Sequence, residues 1–120
     1  MKATYTLKRP STKTPKLYET ENDIGANETL IVAHYFLPGT ICDWYVMEFD
    51  EENDLIFGWA EIISGCGELG YSSLKEMEEL VVMSKMHILG KVIEIPCHVE
   101  FDEHWTPRTL GEVLANRGYK

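Results

Sequence analysis

A chain of 120 residues with 44% hydrophobic content is long enough for one domain and one core, and too apolar for intrinsic disorder. Apolar runs such as Leu30 to Ala33 fall far short of the roughly 18 residues that a membrane-spanning helix needs. A net charge of −9 excludes the basic footprint of a direct nucleic-acid binder.

The opening stretch, Met1 to Pro10, has no apolar segment of the secretory type, which leaves the cytoplasm as the expected location. Residues 1–16 carry Lys2, Lys8, Arg9, Lys13 and Lys16 and no acid. They read as a basic arm, or as an edge strand at Thr4 to Leu7. Residues 17–74 hold twelve acidic residues and no Lys or Arg, and residues 75–120 hold eight acids and six bases. The middle acids therefore meet solvent, pair with the two ends of the chain, or face a cationic partner.

Residues 20–29 are polar and predict a loop. Thr29 to Leu37, Cys42 to Phe49 and Leu55 to Ile63 are rich in β-branched and aromatic residues and are bounded by turn residues, so they predict strands. Glu68 to Tyr71 is a further short strand or the entry to a helix. Their short connections favour an antiparallel meander. Ser73 and Glu76 stand at capping-box spacing ahead of an apolar stripe of Leu74, Met77, Leu80 and Val81, which predicts a helix. Met83 to Gly90 is ambiguous. Lys91 to Ile95 and Cys97 to Phe101 predict strands divided by Pro96. Pro107, Thr109 and Glu112 announce a second helix, ending near Asn116 to Gly118. The sum is one α+β domain: a mainly antiparallel sheet of about five or six strands with two helices, one after the meander and one C-terminal.

Cys42, Cys66 and Cys97 form no Cys-x-x-Cys, which removes zinc-ribbon and thioredoxin-like chemistry and predicts reduced, mostly buried thiols. No phosphate loop, dinucleotide fingerprint, nucleophile elbow or zinc-protease helix is present, so no enzyme and no cofactor are expected. His34 and His87, set among apolar residues, read as packed or hydrogen-bonded. His98, Glu100, Asp102 and His104 alternate along one strand face, a donor set for a divalent metal. Same-face neighbours on a strand lie nearly ~7 Å apart, which argues for a plain polar face instead.

The densest acidic run is Glu48, Asp50, Glu51, Glu52 and Asp54. It reads either as a solvated turn or as an edge of negative potential. Trp44 and Tyr45 are adjacent and point to opposite faces of a strand, so one of them is a candidate for an exposed anchor, as is Trp59.

The segments Trp44-Tyr45-Val46-Met47-Glu48-Phe49-Asp50, Phe57-Gly58 and Gly67-Glu68-Leu69-Gly70-Tyr71-Ser72-Ser73-Leu74, with Lys16-Leu17-Tyr18 and Thr109-Leu110-Gly111-Glu112, resemble the family called domain of unknown function 2958 over about residues 16 to 113. The chain departs from the family pattern at Ile93-Glu94-Ile95-Pro96, where Ile-Glu-Arg-Asp is usual, and at Ser72, where an aromatic is usual. The resemblance implies a setting on plasmids, phages and other mobile elements. Together with the anionic stretch it leads to a non-enzymatic inhibitor of a host defence system, of anti-CRISPR or anti-restriction type. Its partner is then a basic, nucleic-acid-handling host protein met through Trp44, Glu48, Asp50, Glu51, Glu52, Asp54 and Trp59, with no direct nucleic acid and no membrane. A small-ligand or nucleotide-signal binder and a metal-dependent enzyme using His98, Glu100, Asp102 and His104 are the alternatives. Exposed strand edges keep a homodimer open.

Overall fold

A computed structural model describes residues 5–20 and 25–118. The strands are β1 (Leu30–Ile31), β2 (Ala33–Phe36), β3 (Asp43–Asp50), β4 (Leu55–Glu61), β5 (Glu68–Ser73), β6 (Val81–Ile88), β7 (Lys91–His98), β8 (Glu100–Phe101) and β9 (Arg108–Thr109). The helices are α1 (Leu74–Glu79) and α2 (Leu110–Asn116). The expected α+β architecture holds. β2 to β5 form an antiparallel meander inside a five-stranded sheet of order β5-β4-β3-β2-β8, while β1 pairs with β9 and β6 with β7.

The sheet is covered on both faces. Trp44, Val46 and Phe49 of β3 join Tyr35, Ile56, Leu74, Met77, Val99 and Leu7 in one cluster. Tyr45 and Met47 join Ile31, Trp59, Leu110 and Val113 in the other, beneath α2. Strand alternation sends Trp44 and Tyr45 to opposite faces as expected, but both faces are buried, and the two residues are 5% and 7% exposed. Between Val46 and Glu48 the register with β4 shifts. The extra residue resets the alternation, so Phe49 returns to the face of Trp44 and Glu48 turns toward that of Tyr45. Gly58 lies opposite Val46, where a Cβ would stand 1.8 Å from the Tyr45 carbonyl oxygen. Only glycine lets the strands approach so closely beside the bulge.

Both helices start where the sequence announces them. The Ser73 hydroxyl accepts from the Glu76 amide, and Thr109 and Glu112 complete a reciprocal capping box. α1 stops at Glu79, two residues short of the end of the predicted apolar stripe, because the β-branched Val81 and Val82 open a strand instead. Leu80 is correspondingly exposed.

Pro96 does not divide β7. A two-residue turn at Leu89 and Gly90 makes Ile88 and Lys91 the first hydrogen-bonded pair, so alternation leaves Met83 and Pro96 as a non-bonded pair. The proline nitrogen therefore faces away from β6, and the ladder loses no donor.

The basic N-terminal segment is not a strand over Tyr5–Leu7; Thr4 and Lys2 lie outside the described residues, as do residues 21–24 of the polar loop. It is strapped across the first cluster. Leu7 is 2% exposed, the Tyr5 hydroxyl donates to the Val99 carbonyl, and the Tyr35 hydroxyl donates to that of Lys8. Arg9 grips Asp54 and Glu78 at 2.7 and 2.8 Å.

Candidate functional site

The residues expected to form a partner-binding face separate into three groups. Trp44 and Trp59 are corrected first, because each is buried in a core cluster and neither is a surface anchor. The Trp59 ring is enclosed further by Gly67, where a Cβ would lie 1.9 Å from the indole.

Glu48 and Asp54 are internal ligands. Glu48 is 2% exposed and accepts from the Tyr18 amide at 3.0 Å, the Thr20 amide at 2.9 Å and the Thr20 hydroxyl. It organises the left-handed turn at Tyr18, whose φ is 70°. Asp54, in positive φ at the end of the acidic turn, receives both the Nε and Nη2 hydrogens of Arg9.

Asp50, Glu51 and Glu52 remain at the surface. Asp50 accepts from the backbone and side chain of Asn53 and so builds the β3–β4 turn. Glu51 and Glu52 are exposed, and neither carries an ion pair among the described residues. With Thr12, Thr14, Lys16 and Phe49 they border an open cleft.

A second constellation escapes sequence reasoning. His34 on β2 stacks on Tyr45 with ring centroids 4.7 Å apart. Its Nδ1 lies 2.9 Å from Asp102 and its Nε2 lies 2.7 Å from Asp43. Asp43 also accepts from Arg117 at the end of α2, and the other Arg117 nitrogen bridges to Glu61 at 2.5 Å. The Tyr45 hydroxyl accepts from Arg117 at 3.1 Å. The chain Asp102–His34–Asp43–Arg117–Glu61 thus ties β8's exit, β2, β3, α2 and β4 together. Trp105 closes it with an indole N–H donated to the Ile31 carbonyl.

The electrostatics favour the charged forms of Asp43, Asp102 and Arg117. Burial pushes the Asp43 carboxyl up, but hydrogen bonds from His34 and Arg117 outweigh it and keep it below its ordinary value. Asp102 behaves alike, with burial opposed by His34 and the His104 amide. Burial weakens the Arg117 cation, and bonds to Glu61, Tyr45 and Asp43 more than restore it. Burial likewise raises Tyr45. Here both carboxyls are depressed and both ring nitrogens are engaged. The arrangement orients side chains and clamps elements.

Linkage sets a pH window. The unfolded carboxyls titrate near 3.8 and the folded ones lower, so their stabilisation is complete above that value and is lost as pH falls through the folded values. In thermal melts, the stability gap between the parent and Asp43→Asn should stay constant from neutrality to about pH 5 and shrink below about pH 4.

The alternative metal cluster of His98, Glu100, Asp102 and His104 is not brought together. Asp102 turns to His34 and His98 stacks on Tyr5 at 4.3 Å. Among the described residues no group of three or more His, Cys, Asp or Glu is placed to hold a metal. His87 is exposed on β6, not packed, and Cys66 is exposed while Cys42 and Cys97 are half-buried; all three cysteines are free.

Fold and site together define a small α+β domain in which a few charged groups clamp the elements around a doubly covered antiparallel sheet. The chain belongs to the family described as "Protein of unknown function (DUF2958)", whose pattern matches residues 13–93. No curated protein and no solved structure matches it. The match includes His34, Asp43 and Glu61 and ends within β7, before Asp102 and Arg117.

Proposed function

We propose that the chain is a non-enzymatic interaction protein of a phage or other mobile element, acting in the host cytoplasm on a defence system of CRISPR or restriction type. Its acidic surface occupies a cationic, nucleic-acid-binding groove on the host protein. One observation supports this above others: Glu51 and Glu52 project from the β3–β4 turn with no ion-pair partner among the described residues. The two arginines that reach the acidic segment, Arg9 and Arg117, are held by Asp54, Glu78, Asp43 and Glu61. The turn's negative field is therefore left for a partner.

The nucleotide-binding alternative gains no support. The cleft beside His34 is bordered by Asp43 and Asp102, which repel phosphate, and Arg117 is committed to carboxylates.

The test is capture of a basic, nucleic-acid-handling host protein by the tagged chain, at low and high salt. Association should fall steeply with salt, and the double variant Glu51→Lys, Glu52→Lys should weaken it by about tenfold or more at low salt. Melting temperature should barely change, since both side chains are exposed. Undiminished, salt-insensitive binding by that variant would sink the proposal.

A further inference from the structure

β6 and β7 form an arm whose strands pair only with each other, eight residues each, and which reaches about 26 Å from its base. At its tip Leu89 has φ 51° and Gly90 φ 77°, the left-handed pair of a tight hairpin turn. Asparagine or glycine is the usual residue at the first of these positions, and leucine is strained there. Yet Leu89 is 97% exposed. A strained, fully solvated leucine gives the isolated fold nothing. Val81, Met83, Met86, Ile88, Val92 and Ile93 of the arm are each more than 40% exposed as well.

The same chain carries a surface of matching character. A cavity of about 390 Å³ beside β5 is lined by Trp44, Ile62, Ile63, Tyr71 and Cys66, with Glu68 at its edge. It continues past Tyr71 and Ser72 toward Glu76 and Leu80. Ile62, Ile63 and Tyr71 are exposed by 50%, 69% and 53%. The arm bears Lys85 and Lys91 against the single acid Glu94, so it is cationic, and the groove's charged groups are both acidic. Apolar tip meets apolar groove, and lysine meets glutamate.

We propose that two copies of the chain exchange these arms in a two-fold dimer. Leu89 of each copy seats among Ile62, Ile63 and Tyr71 of the other, with Lys91, beside the tip, against Glu68. The contact is reciprocal, so it closes at two copies and covers both arms and both grooves at once. This surface is separate from the acidic turn, and the inference stands apart from the function proposed for that turn.

The experiment uses the full chain in sedimentation velocity over a concentration series. The parent should sediment at twice its 13.8 kDa mass. Leu89→Asn should weaken self-association by about tenfold or more, because an apolar anchor is lost. Asparagine suits a positive φ, so the variant should melt no lower than the parent monomer, and its dissociation is then not misfolding.

A cross-link tests the geometry. Leu89→Cys, mildly oxidised with diamide, should form a covalent dimer through Cys66 of the second copy, and Cys66→Ser should abolish it. A parent that stays monomeric at every concentration, a dimer unchanged by Leu89→Asn, or a cross-link joining position 89 to itself would each overturn the proposal.

Discussion

Replacing Arg117 with methionine should cost the fold about 3 kcal/mol and about 10 °C in Tm. The guanidinium lies between Asp43 and Glu61, whose side chains are 18% and 6% exposed. Methionine keeps most of the apolar stem and removes the charge. Both carboxylates then lose the guanidinium they share while little water reaches them, and His34 remains beside Asp43. Removing one member of a buried ion pair is costly for that reason, even where replacing the whole pair is not. Arg117→Lys should recover only part of the loss, because one ammonium cannot span both carboxylates with the planar fork of arginine. Denaturant unfolding checks both variants. A loss below about 1 kcal/mol for methionine would mean that the carboxylates are hydrated or protonated in the folded chain.

Glu48→Ala should be the other strongly destabilising change, at about 2–3 kcal/mol. The carboxylate takes hydrogens from the Tyr18 and Thr20 amides and the Thr20 hydroxyl, and it does so at 2% exposure. Alanine strands those donors and releases the positive-φ turn at Tyr18. Amide exchange should therefore accelerate at Tyr18 and Thr20 more than at β2 or β4. Glu51→Lys and Glu52→Lys, three and four positions further along, should stay within about 0.5 kcal/mol of the parent. One acidic run thus contains structural carboxylates, Glu48 and Asp54 among them, and the surface pair Glu51 and Glu52. If Glu48→Ala were neutral while the lysine variants unfolded the chain, this division would be reversed.

Elements were legible in the sequence wherever short-range chemistry decides them. Thr109 and Glu112 make their reciprocal bonds at a spacing that any reader can find, and the acidic turn after Phe49 sits where turn residues cluster. Alternation correctly sent Trp44 and Tyr45 to opposite faces. What alternation cannot say is whether a face is covered, and here α2 buries the second one. That is why the expected aromatic anchors became core residues. The helix stripe ending in Leu80 and Val81 overran because helical and strand periods agree over so few residues.

The site was the least legible part. His34 meets Asp102 across 68 positions, and Asp43 meets Arg117 across 74. The absence of any cation from 17 to 74 left its acids to solvent, to the two ends of the chain or to a cationic partner, and Arg9 and Arg117 supply the second of these for some of them. It gave no sign of which acids: among the described residues of that stretch Asp43, Asp54 and Glu61 are ion-paired, and Glu51 and Glu52 are among those that are not.

The cover that α2 gives the sheet also separates kinship from autonomy. The family pattern ends at residue 93, yet Trp105, Leu110, Val113 and Leu114, which roof Tyr45, Met47 and Trp59, all come later. A fragment cut at the limit of likeness would face water with half of its interior and would leave β6 without its whole partner strand. The matched segment of this chain is therefore not a segment that would stand alone, because the cover over its aromatic floor, with the arginine that locks that floor in place, comes from residues beyond it.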